Sequence, residues 1–136
     1  MPGEVDEHAV QLRWSDPDVY GHVNHARALS LLEDARLALG ARAPGTPADG
    51  PPGWILARLE VDYVRQLYYR AGERLTVRSW VSRLGTKSLT LRQELMQDGE
   101  VAIRSDAVCV LFDHEADASR PLTAEERAYW GGYAAG

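Results

Sequence analysis

Hydrophobic and polar positions divide the chain into segments with two different periods. An alternating stretch near the N-terminus, with Val10, Leu12 and Trp14 on one side, predicts a short half-buried strand. After Asn24 the apolar residues instead recur every three or four positions. They are Ala28, Leu31, Leu32, Ala35 and Leu39. This spacing predicts one amphipathic helix of about four turns, which begins at a cap on Asn24 and ends at Gly40.

Most of the remaining chain carries β-strand signals. Residues 42–53 contain many Pro and Gly residues without periodicity, which predicts a loop. Four strands are then indicated around residues 55–64, 75–81, 89–95 and 101–111. Asp98 and Gly99 form the strongest short hairpin signal between two of them. Thr123 and Glu126 have the spacing of a capping box, which predicts a short terminal helix anchored by Trp130.

Because helix and strands are segregated along the chain, the pattern indicates an α+β fold with a five-stranded antiparallel sheet. A single helix covers only one face of such a sheet and leaves strand edges open. We therefore expect at least a homodimer. The length of 136 residues predicts one domain that spans residues 1–136.

Composition narrows the compartment and the classes of ligand. Cys109 is the single cysteine, which excludes an intrachain disulfide and a cysteine-based zinc site. The acidic N-terminal residues show no secretory signal, and the longest apolar run is far shorter than the roughly 20 residues that span a bilayer. The formal net charge of −5 argues against a nucleic-acid surface. We therefore expect a cytoplasmic protein that binds neither membranes nor nucleic acids.

The segment between the first strand and the helix concentrates side chains that can do chemistry. Asp16, Asp18, His22, Asn24 and His25 fall within ten residues. A carboxylate beside a helix N-terminus can act as a nucleophile or as a general base on water. The unpaired N–H groups there favour a developing oxyanion. The same residue types also suit ordinary turns and caps, and the residues alone leave both interpretations open.

Two histidines three residues apart also raise the question of a metal site. His22 and His25 have no evident third ligand, because His8 and His114 are distant along the sequence. Zinc sites use three or four protein ligands. We therefore predict no metal and no other cofactor.

The pattern of this segment resembles the opening motif of a known enzyme family. The motif is Trp14-x-Asp16-x-Asp18-x-x-Gly21-His22-Val23-Asn24, followed by a helix with Glu33 and Arg36. It is similar to that of the 4-hydroxybenzoyl-CoA thioesterase family of hotdog-fold acyl-CoA thioesterases. The resemblance continues in order through Leu59-Glu60-Val61-Asp62-Tyr63, Gly85-Thr86-Lys87-Ser88 and Arg120-Pro121-Leu122.

This resemblance implies a hotdog fold, in which the five-stranded sheet wraps around one long helix. It also implies a homodimer or homotetramer with active sites between protomers, and hydrolysis of an acyl-CoA to the free acid and CoA. Asp18 matches the catalytic carboxylate of the family, which acts as nucleophile or general base. The backbone N–H near His25 would polarise the thioester carbonyl, and the His25 side chain is a candidate for proton transfer.

Other residues of the motif receive supporting roles under the same resemblance. Asp16 would shape the turn, and Gly21 would allow a close approach of the backbone or a positive φ. His22 and Asn24 would either brace the loop or contact the substrate. Glu33 would form a surface pair with the arginine three residues later or a dimer contact, with a second catalytic carboxylate as the alternative.

Lys87 is the single lysine among 15 basic residues. Together with Ser88 it lies in a turn that offers N–H groups, hydroxyls and one cation. The resemblance places the phosphates or the pantetheine of CoA against this turn, and a solvated lysine is the alternative. Arg58, Arg83 and Arg92 are further candidates for a phosphate contact.

Two other functions remain open. One is hydrolysis of acyl groups carried on acyl carrier protein, with a basic docking face in place of a nucleotide pocket. The other is a non-catalytic hotdog protein that binds an acyl ligand or serves in an assembly. Asp18 beside His25 argues against the non-catalytic interpretation.

Overall fold

The structure, a computed structural model, describes residues 3–46 and 53–134. In chain order the elements are β1 (Asp6–Gln11), α1 (His25–Ala41), β2 (Trp54–Tyr63), β3 (Arg74–Leu84), β4 (Ser88–Gln97), β5 (Glu100–Asp113), β6 (Ala118–Ser119) and α2 (Ala124–Gly131). The main sheet has the order β1-β3-β4-β5-β2 with antiparallel neighbours, and the two-residue β6 pairs with β5. The predicted α+β hotdog architecture is confirmed. Residues 47–52 of the predicted loop lie outside the described residues.

β1 lies earlier in the chain than the alternating pattern predicts. Its pairing with β3 ends at Gln11, and Leu12 is buried just beyond it. Trp14, by contrast, is 86% exposed, so its predicted place in a half-buried strand is wrong. The physical reason is a turn, which begins where the N–H of Arg13 donates to the carboxylate of Asp16 at 2.7 Å.

α1 buries the apolar face that its spacing predicts. All five predicted core residues of the helix are at most 1% exposed, and Asn24 caps its start. The predicted end at Gly40 is wrong, because the helix continues to Ala41. Gly40 instead gives room to the indole ring of Trp54. A Cβ atom on Gly40 would lie 2.2 Å from Cη2 of that ring.

A layer of polar side chains divides the core between α1 and the sheet into two apolar clusters. The first cluster contains Leu31, Leu32, Val77, Leu95 and Ile103, and the second contains Leu39, Val81, Leu91, Ala107 and Leu111. Between them lie Arg36 of α1 and three inward-facing strand residues, Ser79, Gln93 and Ser105, all nearly or fully buried. We call these four residues the polar layer.

Gln93 joins the polar layer to the helix. Its Nε2 donates to the backbone carbonyl of Leu32 and to the hydroxyl of Ser79, both at 3.1 Å. Its Oε1 accepts a hydrogen bond from Nη1 of Arg36 at 3.0 Å. Because a buried amide is costly unless its donors and acceptor are satisfied, these bonds fix α1 against the sheet at one position.

β2 is an edge strand whose inner face α1 leaves partly uncovered, since the helix lies closest to β1, β3 and β4. A bulge between Leu56 and Arg58 shifts the alternation of β2. Strict alternation along residues 55–63 predicts that Ile55 and Ala57 share a face with Leu59, and the bulge makes this prediction wrong. The inner face carries Leu56, Leu59, Val61 and Tyr63, which pair with inward-facing residues of β5. We call these four residues the open strip, because Leu56 and Tyr63 are 44% and 50% exposed.

α2 has the predicted capping box. The hydroxyl of Thr123 accepts the N–H of Glu126 at 3.1 Å, and the carboxylate of Glu126 accepts the N–H of Thr123 at 2.8 Å. A hydrogen-bonded ion pair with Arg120 lowers the pKa of the Glu126 carboxyl. Trp130 is buried as expected. No helix in residues 3–46 and 53–134 is long and apolar enough to cross a membrane.

We predict that Gly40→Ala destabilises the protein. Overlap of the new Cβ with the ring of Trp54 should cost about 1–3 kcal/mol, which exceeds the roughly 1 kcal/mol that alanine gains over glycine in a helix. Gly131→Ala is the matched control, because a Cβ there meets no atom within 4 Å. Urea denaturation of both variants checks the difference. Equal midpoints would contradict the close contact between Gly40 and Trp54.

Candidate functional site

The turn that joins β1 to α1 is built around the buried side chain of Asp16. This carboxylate is fully buried and accepts hydrogen bonds from the N–H and from Nε of Arg13, at 2.7 and 3.1 Å to the nearer oxygens. The backbone carbonyl of Asp16 accepts the N–H of Asn24 at 2.8 Å. One residue therefore ties the end of β1 to the cap of α1, in agreement with the turn-shaping role expected of it.

Asp18 is half-buried and lines a cavity of about 490 Å³. Its Oδ1 accepts the N–H of Tyr20 at 2.9 Å and that of His22 at 3.2 Å. Its Oδ2 has no hydrogen-bond partner among the residues that the structure describes. The other lining residues are Val23, His25, Ala28, Tyr63, Val64, Arg65, Gln66, Leu67 and Ile103. A carboxylate held by two N–H groups with one oxygen free is suited to act as a base or a nucleophile.

Backbone geometry holds the Asp18 loop against the segment that follows β2. Gly21 has a φ of +78°, a left-handed conformation that favours glycine. The N–H of Val23 donates to the carbonyl of Leu67 at 2.7 Å. The His22 ring meets Tyr68 edge-on, with 5.2 Å between ring centroids. His22 therefore braces this loop, which is one of its two expected roles.

The first turn of α1 leaves one N–H group free. The N–H groups of Ala26 and Arg27 donate to Oδ1 of Asn24 at 2.9 and 3.4 Å, and that of Ala28 donates to the Asn24 carbonyl at 2.9 Å. Across the described ranges, the N–H of His25 has no acceptor. This donor and the positive end of the helix dipole belong to a residue that lines the cavity, an arrangement that favours negative charge nearby.

The His25 side chain lies at the cavity beside an aromatic residue that the motif did not single out. Its imidazole is edge-on to the ring of Tyr63, with centroids 6.1 Å apart and planes at 87°. Both residues line the cavity. In the sequence Tyr63 is the last residue of the matched segment that begins at Leu59 and a large aromatic near the end of a predicted strand, and neither signal indicates a contact with His25.

Lys87 and Ser88 lie at the opposite end of the sheet from Asp18. The Lys87 carbonyl accepts the N–H of Leu111 at 2.8 Å, and Leu111 pairs with the first residue of β2. The Asp18 cavity instead adjoins Tyr63, the last residue of β2. The ten residues of β2 span about 30 Å at the rise of an extended strand. One chain therefore does not bring Lys87 and Asp18 into the same site.

The three arginines considered for phosphate binding line a depression of about 260 Å³ on the outer face of the sheet. Arg58 forms an ion pair with Glu60. Arg92 forms another with Asp106 at 2.9 Å, and this contact raises the pKa of the guanidinium. Arg83 has no ion pair within the described residues. Two of the three positive charges are thus already compensated.

Arg36 departs from its expected surface position. It is 5% exposed and bonds to Gln93, so the expected surface pair with Glu33 is not formed in the part of the chain that the structure describes. Glu33 itself is exposed. Residues 3–46 and 53–134 also hold no group of three His, Cys, Asp or Glu side chains arranged for a metal ion.

The chain is similar in sequence to a known protein family. A family model described as the thioesterase-like superfamily matches residues 12–128, a range that contains the Asp18 loop, α1 and the strands β2 to β6. Comparison with curated proteins found no match.

Solved structures share the fold over nearly the whole chain. A thioesterase from Thermus thermophilus, complexed with coenzyme A and Zn, is 30% identical with a TM-score of 0.79, covering 93% of this chain and 97% of that one. A predicted thioesterase from Bacillus stearothermophilus is 25% identical with a TM-score of 0.87, covering 97% and 98%. A thioesterase superfamily protein from Jannaschia sp. CCS1 is 24% identical with a TM-score of 0.86, covering 100% and 99%, and shows the fold alone.

We predict that Asp16→Ala destabilises the fold. Loss of its fully buried carboxylate removes the acceptor for the N–H and Nε of Arg13, which should lower the free energy of unfolding by about 1–3 kcal/mol. Asp18→Ala is the matched control two residues away, because Asp18 is only half-buried and should change stability little. Thermal and urea unfolding measure both. If the two variants lose the same stability, the anchoring role of Asp16 is wrong.

Proposed function

The chain belongs to the thioesterase-like superfamily, and on that premise we propose that it hydrolyses the thioester bond of an acyl-CoA to a free acid and CoA. The observation that carries this proposal is the Asp18 carboxylate, held by two N–H groups at a cavity that the first residue of α1 also lines. The coenzyme A bound to the Thermus thermophilus thioesterase supports CoA as the thiol.

The proposed reaction uses Oδ2 of Asp18 and the start of α1. As general base, Oδ2 takes a proton from water while the water oxygen adds to the thioester carbonyl carbon. The N–H of His25 donates to the resulting oxyanion. The C–S bond then breaks, and the departing CoA thiolate takes a proton, for which the His25 imidazole is the proposed donor. In the nucleophilic alternative, Oδ2 itself adds to the carbonyl carbon and the C–S bond breaks to release the CoA thiolate, which is protonated as before. Water then hydrolyses the acyl-aspartyl anhydride and regenerates the Asp18 carboxylate.

The separation of Lys87 from Asp18 supports a site formed by two chains. β2 is an edge strand with exposed apolar residues, and such edges pair readily with a second copy. Antiparallel pairing of two β2 edges about a two-fold axis brings the start of one β2 beside the end of the other. The partner subunit's Lys87 and Ser88 would then approach the Asp18 cavity. We propose a homodimer on this ground, with a homotetramer as a pair of such dimers.

The same proposal treats residues 1–136 as one domain that works in the cytoplasm. The chemistry described above is carried by protein groups alone. Gly21, His22 and Asn24 shape the Asp18 loop, so their proposed contribution to substrate binding is to hold that loop in place.

We predict that Asp18→Asn lowers the rate of thioester hydrolysis by at least about a hundredfold, because the amide cannot accept the proton. Thiol release from a panel of acyl-CoA esters measures the rate. Asp34→Asn is the control, since Asp34 is an exposed carboxylate on α1 outside the cavity. Undiminished hydrolysis by folded Asp18→Asn would refute the mechanism. If the wild-type protein hydrolyses only thioesters of acyl carrier protein, the carrier-protein alternative is favoured. If it hydrolyses neither these nor the acyl-CoA esters, the non-catalytic alternative is favoured.

We predict that Lys87→Ala raises KM for acyl-CoA esters and leaves kcat nearly unchanged. The reason is that a phosphate contact binds the ground state and the transition state equally. The matching N-acetylcysteamine thioesters, which lack the nucleotide, should show no change in KM. Steady-state kinetics on both substrate types tests the role. A KM that is unchanged for CoA esters, or raised equally for both types, would reject it.

A further inference from the structure

Arg36 is a buried cation without a carboxylate partner. Its side chain comes from α1 and is almost fully enclosed. Within the described residues its one hydrogen bond runs from Nη1 to the amide oxygen of Gln93 at 3.0 Å. No Asp or Glu in the described ranges lies within ion-pair distance of it. Burial lowers the pKa of the guanidinium, and an enclosed positive charge is costly unless an anion or several acceptors meet it. The other N–H donors of Arg36 have no acceptor within the described residues, and because they are not fully enclosed, an anion from outside the chain can meet them.

A second unsatisfied donor lies in the same layer. The hydroxyl of Ser105 is buried and has no hydrogen-bond partner in the part of the chain that the structure describes. Ser105 is directly opposite Gln93 on β4 and opposite Val61 on β2. Residues so paired on one face of a sheet have Cβ atoms about 5 Å apart. The Ser105 hydroxyl and the Arg36 guanidinium are both next to Gln93. They thus form one group of hydrogen-bond donors that are not all used.

This group lies directly beyond the cavity that contains Asp18. Tyr63 and Ile103 are a cross-strand pair and both line that cavity. The next inward-facing pair along the same two strands is Val61 and Ser105, about 7 Å further at the rise of a strand. Val61 is half-buried and belongs to the open strip. Val61 packs against the first apolar cluster, so an acyl chain that follows β2 from the cavity reaches the polar layer by displacing this partly buried side chain.

We propose that Arg36 and Ser105 bind a carboxylate at the far end of the acyl group, so that the preferred substrates are CoA thioesters of dicarboxylic acids. This inference rests on the proposed thioesterase function and names its substrate class. A guanidinium fork and a hydroxyl match the two oxygens of a carboxylate. The hydrogen bond to Gln93 orients the guanidinium group of Arg36. The neighbouring thiol of Cys109 has a pKa raised to about 11 by burial, so it stays neutral and does not compete as an anion.

The test compares thioesters with equal numbers of carbons. The wild-type protein is assayed for thiol release with adipoyl-CoA against hexanoyl-CoA and with suberoyl-CoA against octanoyl-CoA. We expect kcat/KM to favour a dicarboxylic ester by at least tenfold in one of the pairs. Arg36→Met keeps the length of the side chain without its charge and should reverse the preference. Asp18→Asn should slow both members of each pair equally.

Two milder variants keep the test valid if Arg36→Met does not fold. Ser105→Ala removes only an unpartnered hydroxyl and should reduce the preference several-fold with unchanged thermal stability. Arg36→Lys keeps the charge but loses the fork and should reduce the preference without reversing it. Equal rates for both esters in the wild type, or an undiminished preference in the folded variants, overturn the substrate assignment while thioester hydrolysis stands. Absence of hydrolysis with every ester overturns the proposed function and this inference with it.

Discussion

The buried carboxylate of Asp16 is the constraint on which the candidate site depends. Its side chain holds the N–H and guanidinium of Arg13 at the end of β1, and its carbonyl holds the N–H of Asn24 at the start of α1. A charged group without exposure is stable only when its hydrogen bonds are made, so the turn has little freedom. Asp18 and the free N–H of His25 owe their positions to this turn.

The second constraint is the asymmetric way in which α1 covers the sheet. The bonds of Gln93 to Leu32 and Arg36 fix the helix over the β1 side, where the apolar residues of both elements are enclosed. The inner face of β2 remains the open strip. The same asymmetry leaves the exposed edge of β2 available to a second copy and places the cavity at Tyr63, next along the strands to the pair Val61 and Ser105.

Elements whose signals are local could be predicted from the sequence. The buried face of α1 follows from a period of 3.6 residues, and the caps at Asn24 and Thr123 follow from short side chains that meet N–H groups two or three residues away. The predictions that were wrong concern positions whose structure depends on contacts between residues far apart in the chain. Trp14 alternates with its neighbours but lies beyond the reach of β3, and Gly40 is a contact with Trp54 rather than a helix end.

The pattern of residues was sufficient to predict the order of the main elements and the apolar face of the helix, and the resemblance of the opening motif selected Asp18 as the candidate carboxylate. Each of these rests on residues within one or two turns of one another. Three features became visible only in the folded chain. Arg36 is buried with no carboxylate partner among the described residues, a bulge in β2 changes which residues face inward, and Lys87 and Asp18 lie near opposite ends of β2. Strand register and helix placement decide these features, because they depend on pairing between residues far apart in the chain.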